Sequence, residues 1–285
     1  MTDMNFRAVL TGSFSTPCAD NPTVAMIEAA YRHDGIDARY INCDVQPENL
    51  AAAVAGARAM EWVGFNCSLP HKVAVIEYLD ELAESARIIG AVNCVSIRDG
   101  RLIGDNTDGK GFLASLQKAA DPKGKKVLLL GAGGAARAIA VELGLAGAAH
   151  ITIANRNRDK AEAIATLIRD NTKSEATTIE WAGDLAVPDG IDVVINATSI
   201  GLGDAQAMPK IDRDSFRPNH VVADVIPNPP MTKLLREAKA RGCTTLDGLG
   251  MLVNQGVIGV ELWLDRKPSA DVMVQTLQDI FNVSD

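Results

Sequence analysis

Apolar residues recur with two different periods along the first ninety or so positions, and the period switches repeatedly. FRAVLTG (6–12), ARYINCDV (38–45) and WVGFNCS (62–68) are short apolar runs rich in β-branched and aromatic residues, which predicts buried strands. Between and after them, TVAMIEAAYRHDG, PENLAAAVAGARAM and VAVIEYLDELAESARIIG (73–90) repeat apolar residues every third or fourth position, which predicts helices. Regular alternation of this kind implies a mostly parallel sheet covered by helices. The stretch 11–22, GSFSTPCADNP at its centre, is long and polar for a connection, and such loops carry binding groups.

The pattern restarts near residue 123. KKVLLLGAGGAARAIAVELGLAGAAHITIANR reads as apolar strand, glycine turn, alanine-rich helix and second apolar strand. TTIEWA, DVVINAT, VVADVI and TTL supply further strands, with MTKLLREAKARG as a helix before the last. The expected architecture is α/β in two domains: residues 1–105, completed by C-terminal helices over about 249–285, for substrate, and a Rossmann-type doubly wound domain over 106–248 for a dinucleotide.

Composition narrows the partners. The 285 residues are 47% hydrophobic and carry a formal net charge of −8, so a polyanionic surface such as duplex nucleic acid or a membrane is not expected, and a small molecule is. MTDMNFRAVL lacks the features of a secretory signal, which points to the cytoplasm. Five cysteines form no CxxC pair and four histidines are dispersed, so no metal is expected and the thiols should be free. A monomer or homodimer is expected.

Gly131, Gly133, Gly134, Ala135 and Ala136 fall in a G-x-G-x-x-A run between strand and helix, the context that a dinucleotide fingerprint requires. Gly131 permits the tight turn, Gly133 lets backbone approach a pyrophosphate, and Ala136 allows close helix packing. The second strand ends in ANRNRDK, with no carboxylate for a ribose 2′-hydroxyl. Asn155, Arg156 and Arg158 stand there instead and suit a 2′-phosphate, so NADP is expected, with NAD possible. FNCSLPHK (65–72) ends a strand with amide, hydroxyl, proline turn and lysine. GDNTDGKGF (104–112) is no calcium loop, because Gly104 takes the first ligand position. Each has a plain reading too, a surface lysine and an acidic turn.

Taken together, FNCSLPHK, GAVNC, GDNTDGKGF, GAGGAAR, NRNR, NATSIGL and DGLGMLVNQG occur in the order found in the shikimate dehydrogenase family, which the chain resembles along nearly its whole length. The resemblance implies reversible hydride transfer between NADP(H) and a ring hydroxyl or ketone of shikimate/3-dehydroshikimate or a related cyclic hydroxy acid, within aromatic amino acid biosynthesis. It implies Lys72 and Asp108 as catalytic residues, with Asn66, Ser68, Asn93 and Gln255 on substrate, and Thr198 and Gly248 beside the cofactor. An ammonium stabilises the charge that hydride delivery builds on oxygen and supplies the proton, while Pro70 fixes the turn that aims it. His71 is given no role.

Two departures fall where substrate is chosen. The family's Ser-x-Ser-Pro loop, which binds the substrate carboxylate, is lengthened here. Aligned on the following helix, Asn21 and Thr23 take the serine positions; aligned on Gly12, Ala19 and Asn21 do, leaving Ser13 and Ser15 free. Pro227 precedes Asn228 and Pro229 where the family has a tyrosine. Quinate or aminoshikimate oxidation with NAD(P), a methylene-tetrahydrofolate dehydrogenase of similar plan, and a non-catalytic NADP- or metabolite-binding protein are the other readings.

Overall fold

The computed structural model describes residues 7–282; Phe6, where the first expected strand begins, and residues 283–285 of the expected closing segment lie outside them. The chain divides into two compact units. One runs up to Thr107 and is completed by Gly256–Ile280, and the other is built on Asp108–Gln255. The change-over points thus fall at 107/108 and 255/256, against the expected 105/106 and 248/249.

The first unit holds a six-stranded mixed sheet in the order β2-β1-β3-β5-β6-β4. Its strands are β1 (Val9–Ser15), β2 (Ala38–Asp44), β3 (Gly64–Cys67), β4 (Glu81–Leu82), β5 (Cys94–Arg98) and β6 (Arg101–Asp105). Its helices are α1 (Thr23–His33), α2 (Leu50–Ala59), α3 (His71–Ala74) and α4 (Glu84–Ile89). Side chains alternate along β1. Phe14 packs against Phe65 and Trp62, with ring centroids 4.5 and 5.9 Å away, on one face, and Thr11, Ser13 and Ser15 occupy the other.

Three expectations change here. The polar stretch from residue 11 is strand as far as Ser15, because each residue from Val9 to Ser15 pairs with β2, up to Ser15↔Asp44. The single helix expected over 73–90 is broken into α3, a 3₁₀ turn (Val75–Tyr78), β4 and α4. Pairing with β6 overrides the helical period: Asp80 donates its N–H to the Leu102 carbonyl (2.9 Å) and its carboxylate accepts the Leu102 N–H (2.8 Å). The β5–β6 hairpin was not anticipated, although Asp99-Gly100 turns it with φ of 49° and 73°, the Asp-Gly signature of a two-residue hairpin loop.

The second unit carries a fully parallel sheet ordered β12-β11-β10-β7-β8-β9, the doubly wound order. These strands are β7 (Lys126–Leu130), β8 (His150–Asn155), β9 (Glu175–Glu180), β10 (Val193–Asn196), β11 (Val221–Asp224) and β12 (Thr244–Leu246). The helices are α5 (Thr107–Leu116), α6 (Gly134–Leu145), α7 (Arg158–Asn171), α8 (Lys233–Ala240), α9 (Gly248–Leu264) and α10 (Ala270–Ile280), of which α10 and the later part of α9 return to the first unit. VLLL of β7 is apolar at every position because both faces are covered: Val127 and Leu129 join the core with Ile139 and Ile153, Leu128 and Leu130 that with Val194 and Leu234. In the first unit α10 packs on α1. No helix among the described residues is long and apolar enough to cross a membrane.

Candidate active site

Lys72 is the second residue of α3 and is half-buried. The turn that delivers it is tied down on both sides. The Ser68 N–H donates to the Phe14 carbonyl (3.0 Å), the His71 N–H to the Ser68 carbonyl (2.8 Å), and the Lys72 carbonyl accepts the Val92 N–H (2.7 Å). The Leu69–Pro70 peptide is cis. His71 is more than a bystander: it is buried, and its Nε2 lies 2.7 Å from the Val45 carbonyl, which fastens the turn to the end of β2.

The residue after Val92 extends this tie. Asn93 Oδ1 accepts the Thr107 N–H at 2.6 Å and Asn93 Nδ2 donates to Thr107 Oγ1 at 3.0 Å, so the residue immediately before Asp108 is held by a buried amide. The Asn93 carbonyl accepts both the Cys67 N–H and Asn66 Nδ2, each at 2.9 Å. Tyr40 donates its hydroxyl to Asn66 Oδ1 (2.8 Å), and burial pushes that phenol well above the ordinary tyrosine range, so it remains a donor.

At the same end of β1, Ser13 Oγ donates to Asn42 Oδ1 (2.8 Å) and receives Asn21 Nδ2 (3.4 Å). Asn42 Nδ2 donates to the Asn21 carbonyl (3.0 Å) and the Cys18 carbonyl (3.3 Å), and Asn21 Oδ1 accepts the N–H of Thr23, the buried residue that opens α1. Asn21 and Ser13 therefore belong to one network. Every group in the network is an amide, a hydroxyl or backbone; no cation takes part.

In the second unit a cavity of about 670 Å³ is lined by Gly131, Gly133, Asn155, Arg156 and Thr198 from the expected set. Gly131 has φ 106°, and a Cβ there would stand 3.0 Å from the Ala197 carbonyl oxygen. At Gly133 and Gly134 a Cβ would meet nothing within 4 Å, so the backbone at the N-terminus of α6 is open to a phosphate. Asn196 shapes the opposite wall: its Oδ1 accepts both the N–H (3.1 Å) and the hydroxyl (2.7 Å) of Thr198, while its Nδ2 donates to Asp224 Oδ1 (2.9 Å). Thr232 Oγ1 and the Ile226 N–H also donate to Asp224, yet burial outweighs them and pushes its carboxyl up to about 6.

Arg158, Gly248 and Gln255 lie outside this lining. Arg158 begins α7 on the exposed side and is not in the cavity wall. Gly248 stands where a Cβ would collide with the Ile226 carbonyl, so its place is set by packing. Gln255 donates Nε2 to the Leu252 carbonyl of its own helix (3.0 Å). Ala135 and Ala136 lie in the first turn of α6, with Ala136 in the core. Lys160, Trp181 and Lys210 line the cavity and were not anticipated. Lys160 was legible as the basic residue one turn past Arg156, whereas Trp181 and Lys210 come from separate segments joined by a hydrogen bond from the indole to the Lys210 carbonyl (2.8 Å). Size, open glycine backbone and the cations Arg156, Lys160 and Lys210 fit a dinucleotide with an extra phosphate. Among the described residues no cluster of His, Cys, Asp and Glu could hold a metal ion.

Family models for the shikimate dehydrogenase substrate binding domain, shikimate/quinate 5-dehydrogenase and the shikimate 5′-dehydrogenase C-terminal domain match residues 15–95, 113–203 and 248–278. The chain belongs to the shikimate dehydrogenase family. An NADP⁺-dependent shikimate dehydrogenase of Desulforamulus reducens is 40% identical over 279 residues, 96% of either chain. Among solved structures, a shikimate dehydrogenase in complex with NADP⁺ is 37% identical with a TM-score of 0.88, covering 98% of this chain and 97% of its own. A 5-ketofructose reductase of a Gluconobacter species, in ligand-free form, is 68% identical with a TM-score of 0.96, covering 97% and 100%. Like these shikimate dehydrogenase relatives, the protein is an NADP-dependent oxidoreductase that works by hydride transfer.

Proposed function

We propose that this member of the family reduces the ketone of a neutral polyhydroxy sugar, 5-ketofructose, with NADPH. The observation that carries the reading is the 68% identity to a 5-ketofructose reductase across almost the entire chain, against about 40% to the shikimate dehydrogenases. The Ser13–Asn42–Asn21 network agrees with it, because most of its donors are spent on one another and on backbone carbonyls rather than left for a carboxylate. The missing tyrosine near Asn228 agrees as well.

The cofactor, when bound, supplies the hydride. Lys72 stabilises the developing oxyanion and gives it a proton, and Asp108 is the carboxylate that works with it. Asn66, Ser68, Asn93, Thr23 and Gln255 act on substrate hydroxyls, Asn21 through the network just described. Arg156 and Lys160 hold the 2′-phosphate, and the enzyme works in the cytoplasm. The relatives at 40% identity favour a second reading, shikimate as substrate within aromatic amino acid biosynthesis. Following NADPH oxidation with 5-ketofructose and with 3-dehydroshikimate decides between them: turnover of the acid alone would return the enzyme to the second reading.

A further inference from the structure

We propose that Asn42 is a positioning residue for the substrate loop, and that through the loop it sets how the ketone substrate is held. The inference rests on the reading above only in taking the loop around Asn21 and Thr23 to face substrate.

Asn42 sits on β2 directly opposite Ser13 of β1 in register. One amide makes three bonds there. Its Oδ1 accepts from Ser13 Oγ (2.8 Å), and its two N–H groups reach the carbonyls of Asn21 (3.0 Å) and Cys18 (3.3 Å). The Cys18 carbonyl also accepts the Asn21 N–H (3.2 Å), so residues 18–21 form a turn with both ends fastened to the same side chain. From that turn Asn21 spends its own amide on Ser13 Oγ and on the N–H of Thr23.

The residue type follows from this demand. Only a planar amide on a short stem offers one acceptor and two donors in these directions. Aspartate would have the same shape but would turn an acceptor toward two carbonyl oxygens, and alanine would leave both carbonyls and the Ser13 hydroxyl to find other partners. Asn42 itself has no hydrogen left to give a ligand from Nδ2. Its contribution is to hold Asn21 and Thr23 still, and a ligand that meets a mobile loop must order it on binding.

The test uses the full-length chain with NADPH and whichever of 5-ketofructose and 3-dehydroshikimate the wild type reduces, so a wrong substrate assignment shows separately from a wrong role for Asn42. In Asn42→Ala the KM for the ketone should rise about 10- to 100-fold, the cost of one or two lost hydrogen bonds, with kcat and the KM for NADPH within about threefold. Asn42→Asp should be worse than Asn42→Ala despite its matching shape. Amide hydrogen exchange should accelerate over residues 18–23 and stay unchanged in β5. Ser13→Ala, which deletes a single hydroxyl, should raise the ketone KM in the same direction and decides the matter if the Asn42 variants do not fold. A ketone KM within about twofold of wild type in the folded variants, or an equal rise in both KM values, would overturn the role.

Discussion

Asn93 holds Thr107 by both of its amide atoms, at 2.6 Å to the backbone N–H and 3.0 Å to the hydroxyl. Because Thr107 precedes Asp108 in the chain, a residue in the loop just before β5 governs where the carboxylate segment begins. Asn93→Ala should lower stability by about 1 to 3 kcal/mol, the penalty for a buried donor left without its acceptor, and lower kcat by about 10- to 100-fold. Asn93→Asp keeps the acceptor for the N–H and should recover part of the stability. Urea unfolding and steady-state rates on both variants check this, and equal stability of Ala and Asp would contradict it.

Lys72→Ala should lower kcat by about 10²- to 10⁴-fold, the range for a positioned proton donor, with a much smaller change in KM. Near-normal turnover in purified, folded variant would leave Lys72 as an ordinary half-buried lysine.

Arg156→Ala should raise the KM for NADP(H) by about 10- to 150-fold while that for NAD(H) barely moves, because a charge-assisted contact to the 2′-phosphate is lost. Lys160→Ala should act in the same sense, since Lys160 lines the same cavity. Arg158→Ala should change neither, and a large Arg158 effect would mean that α7 begins differently around the cofactor.

Asp224 makes a prediction about pH. Its carboxyl sits at about 6 in the folded protein, above the ordinary value near 4 in an unfolded chain. Below about pH 4 it is protonated in both states and its burial costs no charge. Between about pH 4 and 6 only the unfolded form ionises, so the folded state binds the extra proton and this contribution to stability falls as pH rises, by about 3 kcal/mol in total. Asp224→Asn lacks that titration and should therefore gain on wild type between pH 4 and 7. Urea midpoints at the two pH values check it; a difference between the proteins that does not change with pH would refute the shift.

Most of the second unit was legible because its strands are buried on both faces and read as unbroken apolar runs, VLLL in β7 being the clearest. The glycine turn at Gly131 was legible too, since its φ of 106° allows few other residues. The region after Lys72 was not. Residues 80–82 hydrogen-bond or pair with β6, a contact set by tertiary structure and invisible to periodicity. The candidate catalytic and nucleotide motifs stood out locally, as short runs of special residues. Asn42 did not, because a polar residue inside a strand looks like an exposed face until its register partner Ser13 and the loop at Cys18 are known. Lys210 and Trp181 were hidden for the same reason: 29 positions separate them, and nothing in the intervening chain announces their contact.

The neutral network at Ser13, Asn42 and Asn21 makes substrate preference the most direct test. Measured side by side with NADPH at neutral pH, kcat/KM for 5-ketofructose should exceed that for 3-dehydroshikimate by at least about 10³-fold, since most donors of this network are spent on one another and on backbone carbonyls, and a buried carboxylate left short of donors costs several kcal/mol. Equal or greater kcat/KM for 3-dehydroshikimate would contradict it, and would mean that the amides of this loop bind an acid after all.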